Sequence, residues 1–424
     1  MKKIQSIIIA CLLLQIGLFA QQTPAPEQSG AVLIMGATAH LGNGKVIPNA
    51  AIGFENGKLT LVADANTVRI DPAKYPTQID AQGKHVYPGF IAPNTTLGLI
   101  EIEAVRATND MREVGSFNPN LRSIIAYNTD SNITPTVRSN GVLMAQVVPQ
   151  GGRVSGQSTI VQLDAWNWED AAYATDEGIH LNWPRSFNWW NNEANKDYPD
   201  QVEEIKTNFK EAQAYAKNKK VTKPNLKMEA MKGLFDKSKT LYVHTGNVKS
   251  ITEAVLFFKD FGVNLVIVGG TDTWMITDLL KDHKVSVILG DTHSLPSRSD
   301  SDIDESFKTA KVLKEAGVLY AFGMNGAWQQ RNLAFQAGQA VGYGLDYEDA
   351  VTALTLNTAK ILGIDKTVGS LEEGKDATLF ISEGDALDMR TCKLTQAFIG
   401  GRKIDLDNKQ KALYRKFQEK YRGK

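Results

Sequence analysis

The chain has 424 residues, enough to bury the core of a large barrel and still build a small accessory domain. Lys+Arg and Asp+Glu each total 47, so no net field draws the molecule to nucleic acid or to an acidic membrane. Histidine is scarce, at six residues, which leaves few imidazoles for metal.

Lys2-Lys3 and the apolar run Ile7 to Ala20 give the basic start, short apolar core and small final residue of a secretory signal. Cleavage after Ala20 leaves Gln21 at the mature terminus and predicts a periplasmic or secreted protein. Ile8-Ile9-Ala10-Cys11 faintly matches a lipoprotein box, but the apolar run continues past Cys11, which favours soluble export. No later segment reaches the roughly 20 apolar residues that a spanning helix needs. Cys392 is then the only mature cysteine, so no internal disulfide forms.

In chain order, Gln21 to Gly30 reads as a flexible spacer rich in Pro and Gln. Ala31 to Thr38 reads as a strand. Ala51 to Glu55 and Lys58 to Val62 flank Asn56-Gly57, the strongest short hairpin signal. The stretch from Tyr87 to Gly98 leaves a Pro-Gly turn as a short apolar run and ends on small polar residues. That is the pattern of a buried strand with its side chains delivered at the C-terminal end. Gly151-Gly152-Arg153-Val154-Ser155-Gly156 is neither a dinucleotide fingerprint nor a phosphate loop. It reads as a tight βα loop, with Arg153 available to a carboxylate. The stretch from Gln157 to Lys220 is less regular and holds five of the seven tryptophans, Trp166, Trp168, Trp183, Trp189 and Trp190. It reads as an insertion that lids or lines a pocket, with His180 inside it.

Beyond it, helix and strand alternate. Ser250-Ile251-Thr252-Glu253 is a capping box, opening a helix with Ile251, Ala254, Val255, Phe258 and Phe261 at helical spacing. Strand Asn264 to Val268, helix Trp274 to Lys281, strand Val285 to Leu289, helix Asp304 to Ala316 and strand Val318 to Phe322 follow. Asp346 caps a helix running through Leu362. Such units build a (β/α)8 barrel or an open doubly wound sheet; local text does not separate the two. Gly369 to Ile381 and Ala397 to Lys403 return to strand and turn. Asn408 to Lys424 reads as a basic amphipathic tail helix, expected to dock on the protein rather than on a membrane.

Pro88-Gly89-Phe90-Ile91, with Leu97-Gly98 after it, resembles the first-strand signature P-G-F-I-D-A-H-x-H-L-G of the amidohydrolase superfamily, in its imidazolonepropionase-like and prolidase-like members. Gly369-Ser370-Leu371-Glu372-Glu373-Gly374-Lys375-Asp376-Ala377 resembles a second mark of that family. The resemblance spans roughly Ala31 to Lys403. It implies an α/β fold with a (β/α)8 TIM-like barrel (88–365) and a small composite β-sandwich built from both chain ends (31–87 and 366–405), flanked by a signal (1–20), a linker (21–30) and a tail (406–424).

The family implies hydrolysis of non-peptide C–N bonds, in cyclic amides or dipeptide-like substrates, by one or two divalent metals such as Zn²⁺ at the barrel mouth. Carried over strand by strand, the metal histidines of the first strand fall on Asn94 and Thr96. His244 occupies the fifth-strand position, Gly269 the sixth, and Asn325 replaces the eighth-strand aspartate. Asn and Thr are weak neutral ligands, Gly offers none, and one imidazole does not hold Zn²⁺. No metal cofactor is therefore expected. A substitute site from His244, Asp291 and His293, with Asp272 near by, is weighed against ordinary capping roles for these loop residues. If the site is catalytic, His244 and Asn325 carry the chemistry, with His244 paired to Asn325 or Thr96 or moving a proton. Asn94, Thr96, Arg153, His180, Asp272 and His293 are the expected small-molecule contacts. His40, His85 and His283 read as packing or surface residues. The rival reading is a non-catalytic binding protein, a homo-oligomer, or a partner subunit of an intact paralogue.

Overall fold

The computed structural model describes residues 23–188, 193–218, 220–296, 298 and 300–422. The expected signal segment and Trp189 and Trp190 lie outside them. Near the amino terminus come β1 (Val32–His40), β2 (Val46–Glu55), β3 (Lys58–Asp64), β4 (Thr77–Asp80) and β5 (His85–Pro88). The β2–β3 hairpin closes on Asn56 and Gly57, both left-handed at φ 50° and 77°. That conformation suits the twist of a two-residue hairpin and explains the Asn-Gly pair. Residues 23–30 form no strand or helix, yet they are tied down, unlike the flexible spacer expected. The Gln28 amide donates to Gly30 O and Phe54 O and accepts from Gly57 N, and Ala25 N donates to Asp164.

The barrel begins one residue after β5. Its strands are β6 (Phe90–Thr95), β7 (Val142–Val147), β8 (Val154–Gln162) and β9 (Ala172–Asn182). A short pair follows, β10 (Phe187–Asn188) and β11 (Glu193–Ala194), and then β12 (Thr240–Thr245), β13 (Asn264–Gly269), β14 (Ser286–Leu289) and β15 (Tyr320–Phe322). The chain closes with β16 (Leu379–Ser382), β17 (Leu394–Ile399) and β18 (Arg402–Lys403). Strands from both ends share one sheet in the order β18-β17-β16-β5-β1-β2-β3, with β4 on β1. This is the composite sandwich domain, packed around Ile34, Ile52, Phe54, Val86 and Leu379.

The second eight-stranded sheet runs β15-β14-β13-β12-β9-β8-β7-β6, and Thr95 Oγ1 donates to Gly326 O at 2.9 Å where its two ends meet. Ile91, Met144, Ile160, Tyr242, Val266, Val268, Ile288 and Ala321, one from nearly every strand, fill its interior. This is the layered filling of a barrel rather than a pore.

One strand departs from a strict (β/α)8 pattern. β8 is antiparallel to both β7 and β9, so two hairpins stand where crossover helices were expected. The supposed βα loop at Gly151-Gly152 is a β–β reversal, with φ 86° and 65°. A β-carbon on Gly152 would sit 2.8 Å from Ser116 O, so only glycine fits. The first part of the stretch 157–220 is accordingly no insertion: most of β8 and all of β9, to Asn182, are barrel wall. Among the helices, the one predicted from Ser250 starts earlier, at Val248, capped by Asn247, and Glu253 accepts instead from Tyr198 OH. Asp346 does cap its helix, which breaks at Thr355. Among the described residues no helix is long and apolar enough to cross a membrane.

Candidate functional site

The parallel strands end together at the barrel mouth: β6 at Asn94-Thr95, β12 at His244-Thr245, β13 at Gly269, with Asn325 three residues past β15. Because β8 runs backwards, its first residues reach the mouth too, and Arg153 Nη1 donates to Asn182 O at 3.0 Å there. The register of β9 on β12 sets Tyr242 beside His180 and His244 beside Asn182.

That register makes a histidine pair. His180 Nδ1 lies 2.8 Å from His244 Nε2, and the fully buried His180 ring stacks on Tyr242 with centroids 4.6 Å apart. Burial, with His244 beside it, holds His180 well below the usual histidine range. Burial alone pushes His244 down to about 4. Both imidazoles are neutral at physiological pH, so one proton occupies the bond between them. His180 Nε2 is buried without a partner. An orphaned lone pair is tolerated better than an orphaned N–H, which assigns the shared proton to His180 Nδ1 and leaves His244 protonated on Nδ1. His244 is therefore paired with His180, and not with Asn325 or Thr96 as expected; nothing in the sequence states the register that joins β9 to β12.

The other expected ligand positions carry different geometry. Asn94 is left-handed at φ 53°, and its N–H donates to Gln146 Oε1 at 3.0 Å. Thr96 is buried with Oγ1 unpartnered. Asn325 is exposed, and its N–H meets the carboxylate of Asp291, whose pKa is raised by burial despite that bond and nearby His293. Gly269 stands at φ 96° with Thr245 O 3.3 Å from where a β-carbon would be, a backbone that histidine rarely adopts.

The substitute site does not assemble either. Asp272 accepts from Val248 N at 2.9 Å and Arg298 Nη1 at 3.2 Å, so it holds the first turn of the earlier helix Val248–Phe258. His293 turns to Gln336 and Gln339, at 3.3 and 3.0 Å. Among the described residues no three His, Cys, Asp or Glu side chains gather as a metal group. The imidazole pair at the mouth is spent on its own hydrogen bond, and this donor set does not fit a divalent ion.

Sequence reasoning missed Glu177. It sits below the histidines on β9, where left-handed Asp176 (φ 54°) turns the side chain into the barrel. Gln146 Nε2 donates to it at 2.7 Å, Tyr242 OH at 2.9 Å, and Ser158 Oγ also donates to it. Burial raises its pKa while these three donors lower it. The network links Glu177 through Gln146 to the backbone of Asn94, so one buried carboxyl shapes the mouth. A polar residue within an otherwise hydrophobic strand, Gln146 between Ala145 and Val147, was the available signal.

Among the described residues, Trp166, Trp168 and Trp183 do not form a lid together. Trp183 is buried and donates to Tyr198 OH at 3.1 Å. Trp166 and Trp168 are exposed in the turn after β8. Since β8 is reversed, that turn lies at the end of the barrel opposite the mouth.

The sequence model of the Amidohydrolase family matches residues 221–404. An 86-residue stretch, 20% of the chain, is 37% identical to imidazolonepropionase from Thermoplasma volcanium and spans 21% of that protein. An amidohydrolase from Thermotoga maritima superposes over 88% of this chain and 99% of its own, with TM-score 0.77 and 23% identity. A putative prolidase from Bifidobacterium longum covers 93% of this chain and 99% of its own at TM-score 0.53 and 16% identity. The carboxy-terminal part of the chain thus matches the Amidohydrolase family in sequence, and the whole described chain has the barrel and composite sandwich of an amidohydrolase fold.

Proposed function

We propose that this is an exported member of the superfamily whose barrel mouth binds a small uncharged amide- or ureide-like molecule without the family's divalent-metal catalysis. The observation that carries the reading is the neutral His180–His244 pair, bonded to itself at 2.8 Å with no third metal-type donor beside it among the described residues. A neutral His244 carrying its proton on Nδ1 is a hydrogen-bond donor for a carbonyl oxygen. Asn94, Thr96 and Asn325 offer neutral donors and acceptors at the same strand ends. Arg153 adds a cation for a solute that also bears a carboxylate. The match to imidazolonepropionase supports the C–N class of solute.

The experiment is elemental analysis of purified, dialysed protein, followed by calorimetric titration with hydantoin and with Xaa-Pro dipeptides. Less than one divalent ion per chain, together with saturable binding that His244→Ala weakens about tenfold, is the expected result. One tightly held Zn, Mn, Fe or Ni per chain overturns the reading, and so does the absence of binding to every member of both classes.

A second reading, partner subunit of another barrel, has its own observation. Val114 (87% exposed), Leu295 (89%) and Ile303 (81%) are apolar residues on loops that follow the strand C-termini. Light scattering, and co-purification from the native cell, test it. A strictly monomeric protein that retains no partner removes it.

A further inference from the structure

We propose that the C-terminal helix is a surface anchor that lays an aromatic strip against anionic phospholipid headgroups. The helix Lys409–Tyr421 has no buried residue, so the docking expected from its amphipathic pattern is shallow. It is held at its base. Asn408 caps Lys411 N at 2.8 Å and donates to Ser139 Oγ at 3.0 Å, while Thr136 Oγ1 donates to Gln410 Oε1 at 2.9 Å. Arg415 pairs with Asp407. These contacts are polar, and Tyr414 and Phe417 stay exposed beside them.

Those side chains form one row. At about 100° per residue, Leu413, Phe417, Tyr421 and Tyr414 fall within an arc of about 100°. Tyr414 is 66% exposed, Phe417 50% and Tyr421 54%. At one edge of this row Ala412, Leu413 and Lys416 line a crevice of about 840 Å³ against the barrel floor; Tyr414, Phe417 and Tyr421 are not part of that lining, so the aromatic part of the row is turned from the body.

The charge says what covers it. Residues 409–422 carry six basic side chains against the single Glu419, in a chain whose overall charge is zero. Lys409, Lys416 and Lys420 border the strip on one side; Lys411, Arg415 and Arg422 border it on the other. An aromatic row between two basic rows on a helix of low mean hydropathy is the pattern of a helix that lies in the headgroup plane rather than spanning it. An acidic protein surface would satisfy the charges but would not require Tyr and Phe at the centre of the strip. Such rings suit the water–lipid boundary.

The test is co-sedimentation of the full protein with vesicles of phosphatidylglycerol and phosphatidylcholine, and with phosphatidylcholine alone. Binding at least tenfold stronger to the anionic vesicles, falling as salt is raised, is expected. Lys416→Gln and Lys420→Gln should each weaken it about fivefold, and Phe417→Ser about tenfold. All three residues are solvent-facing, so unchanged thermal melting confirms that the variants are folded, and the salt series on the unaltered protein stands without them. Equal binding to both vesicle types, or none, overturns the proposal. So does a dimer in light scattering that Phe417→Ser abolishes while vesicles remain unbound.

Discussion

His244 shows how one imidazole changes meaning with its neighbour. Its position matches that of a metal ligand, but its Nε2 faces His180 Nδ1 and its pKa is pushed to about 4 by burial. The folded state resists protonation while the unfolded chain accepts it near the ordinary value of about 6.5. The unfolded state therefore binds more protons between those values, and stability rises with pH across the window. The full contribution is present above pH 6.5 and is lost as pH falls toward 4, a change of up to about 3 kcal/mol. Urea unfolding at a series of pH values should show this loss, and His244→Phe should reduce it, leaving the share of buried His180. A pH-independent midpoint between 7 and 4.5 would refute the buried neutral pair. Glu177 is the second residue that matters. Replacing it with Leu strands Gln146 and Tyr242 donors in the barrel core and should cost about 3 kcal/mol. Glu177→Gln, which keeps an acceptor, should cost less, and the two are compared by the same unfolding measurement.

At the scale of elements, the end of β13 separates a lost side chain from a changed backbone. If Gly269 were only a histidine deleted, putting the histidine back would be tolerated. At φ 96°, with Thr245 O 3.3 Å from where a β-carbon would sit, Gly269→His should instead lower stability by about 1–3 kcal/mol. It should gain no divalent ion, readable by thermal melting and elemental analysis. A stable, metal-loaded variant would show that the loop relaxes readily. The same scale shows what was legible. Hydrophobic runs located β13 to β15 within a residue or two, and Asn56-Gly57 located the hairpin, because these signals are local. The direction of β8 was not legible, since a Gly-Gly turn into a strand reads alike whether the next partner is parallel or antiparallel. That one reversal moved Trp166 and Trp168 away from the mouth, while Arg153, in the loop after β7, stays at it as expected. The His180–His244 contact was hidden for a related reason: it depends on register between strands some sixty residues apart.

At the scale of the whole molecule, the chain ends and the barrel are joined at many points. Pro88 ends β5 and Phe90 begins β6, leaving one residue between sandwich and barrel. From the barrel side, the Tyr173 hydroxyl on β9 lies 2.6 Å from both Asp376 Oδ2 and Thr367 Oγ1. Asp376 in turn binds Lys58 Nζ of β3 at 2.5 Å. A sandwich that needs residues 31–88 and 379–403 together cannot close until the barrel between them has brought its ends into register. The two bodies should therefore unfold as one cooperative unit. The tryptophans offer a clean test, because all seven lie between Trp166 and Trp328, so their fluorescence reports the barrel while far-ultraviolet circular dichroism reports both sheets. Coincident transitions are expected in urea, and Tyr173→Phe should shift both together by about 1 kcal/mol through the lost bond to Asp376. If fluorescence and dichroism midpoints separate, with the variant moving only one of them, the sandwich is an independent domain and the junction at Asp376 is not what couples it to the barrel.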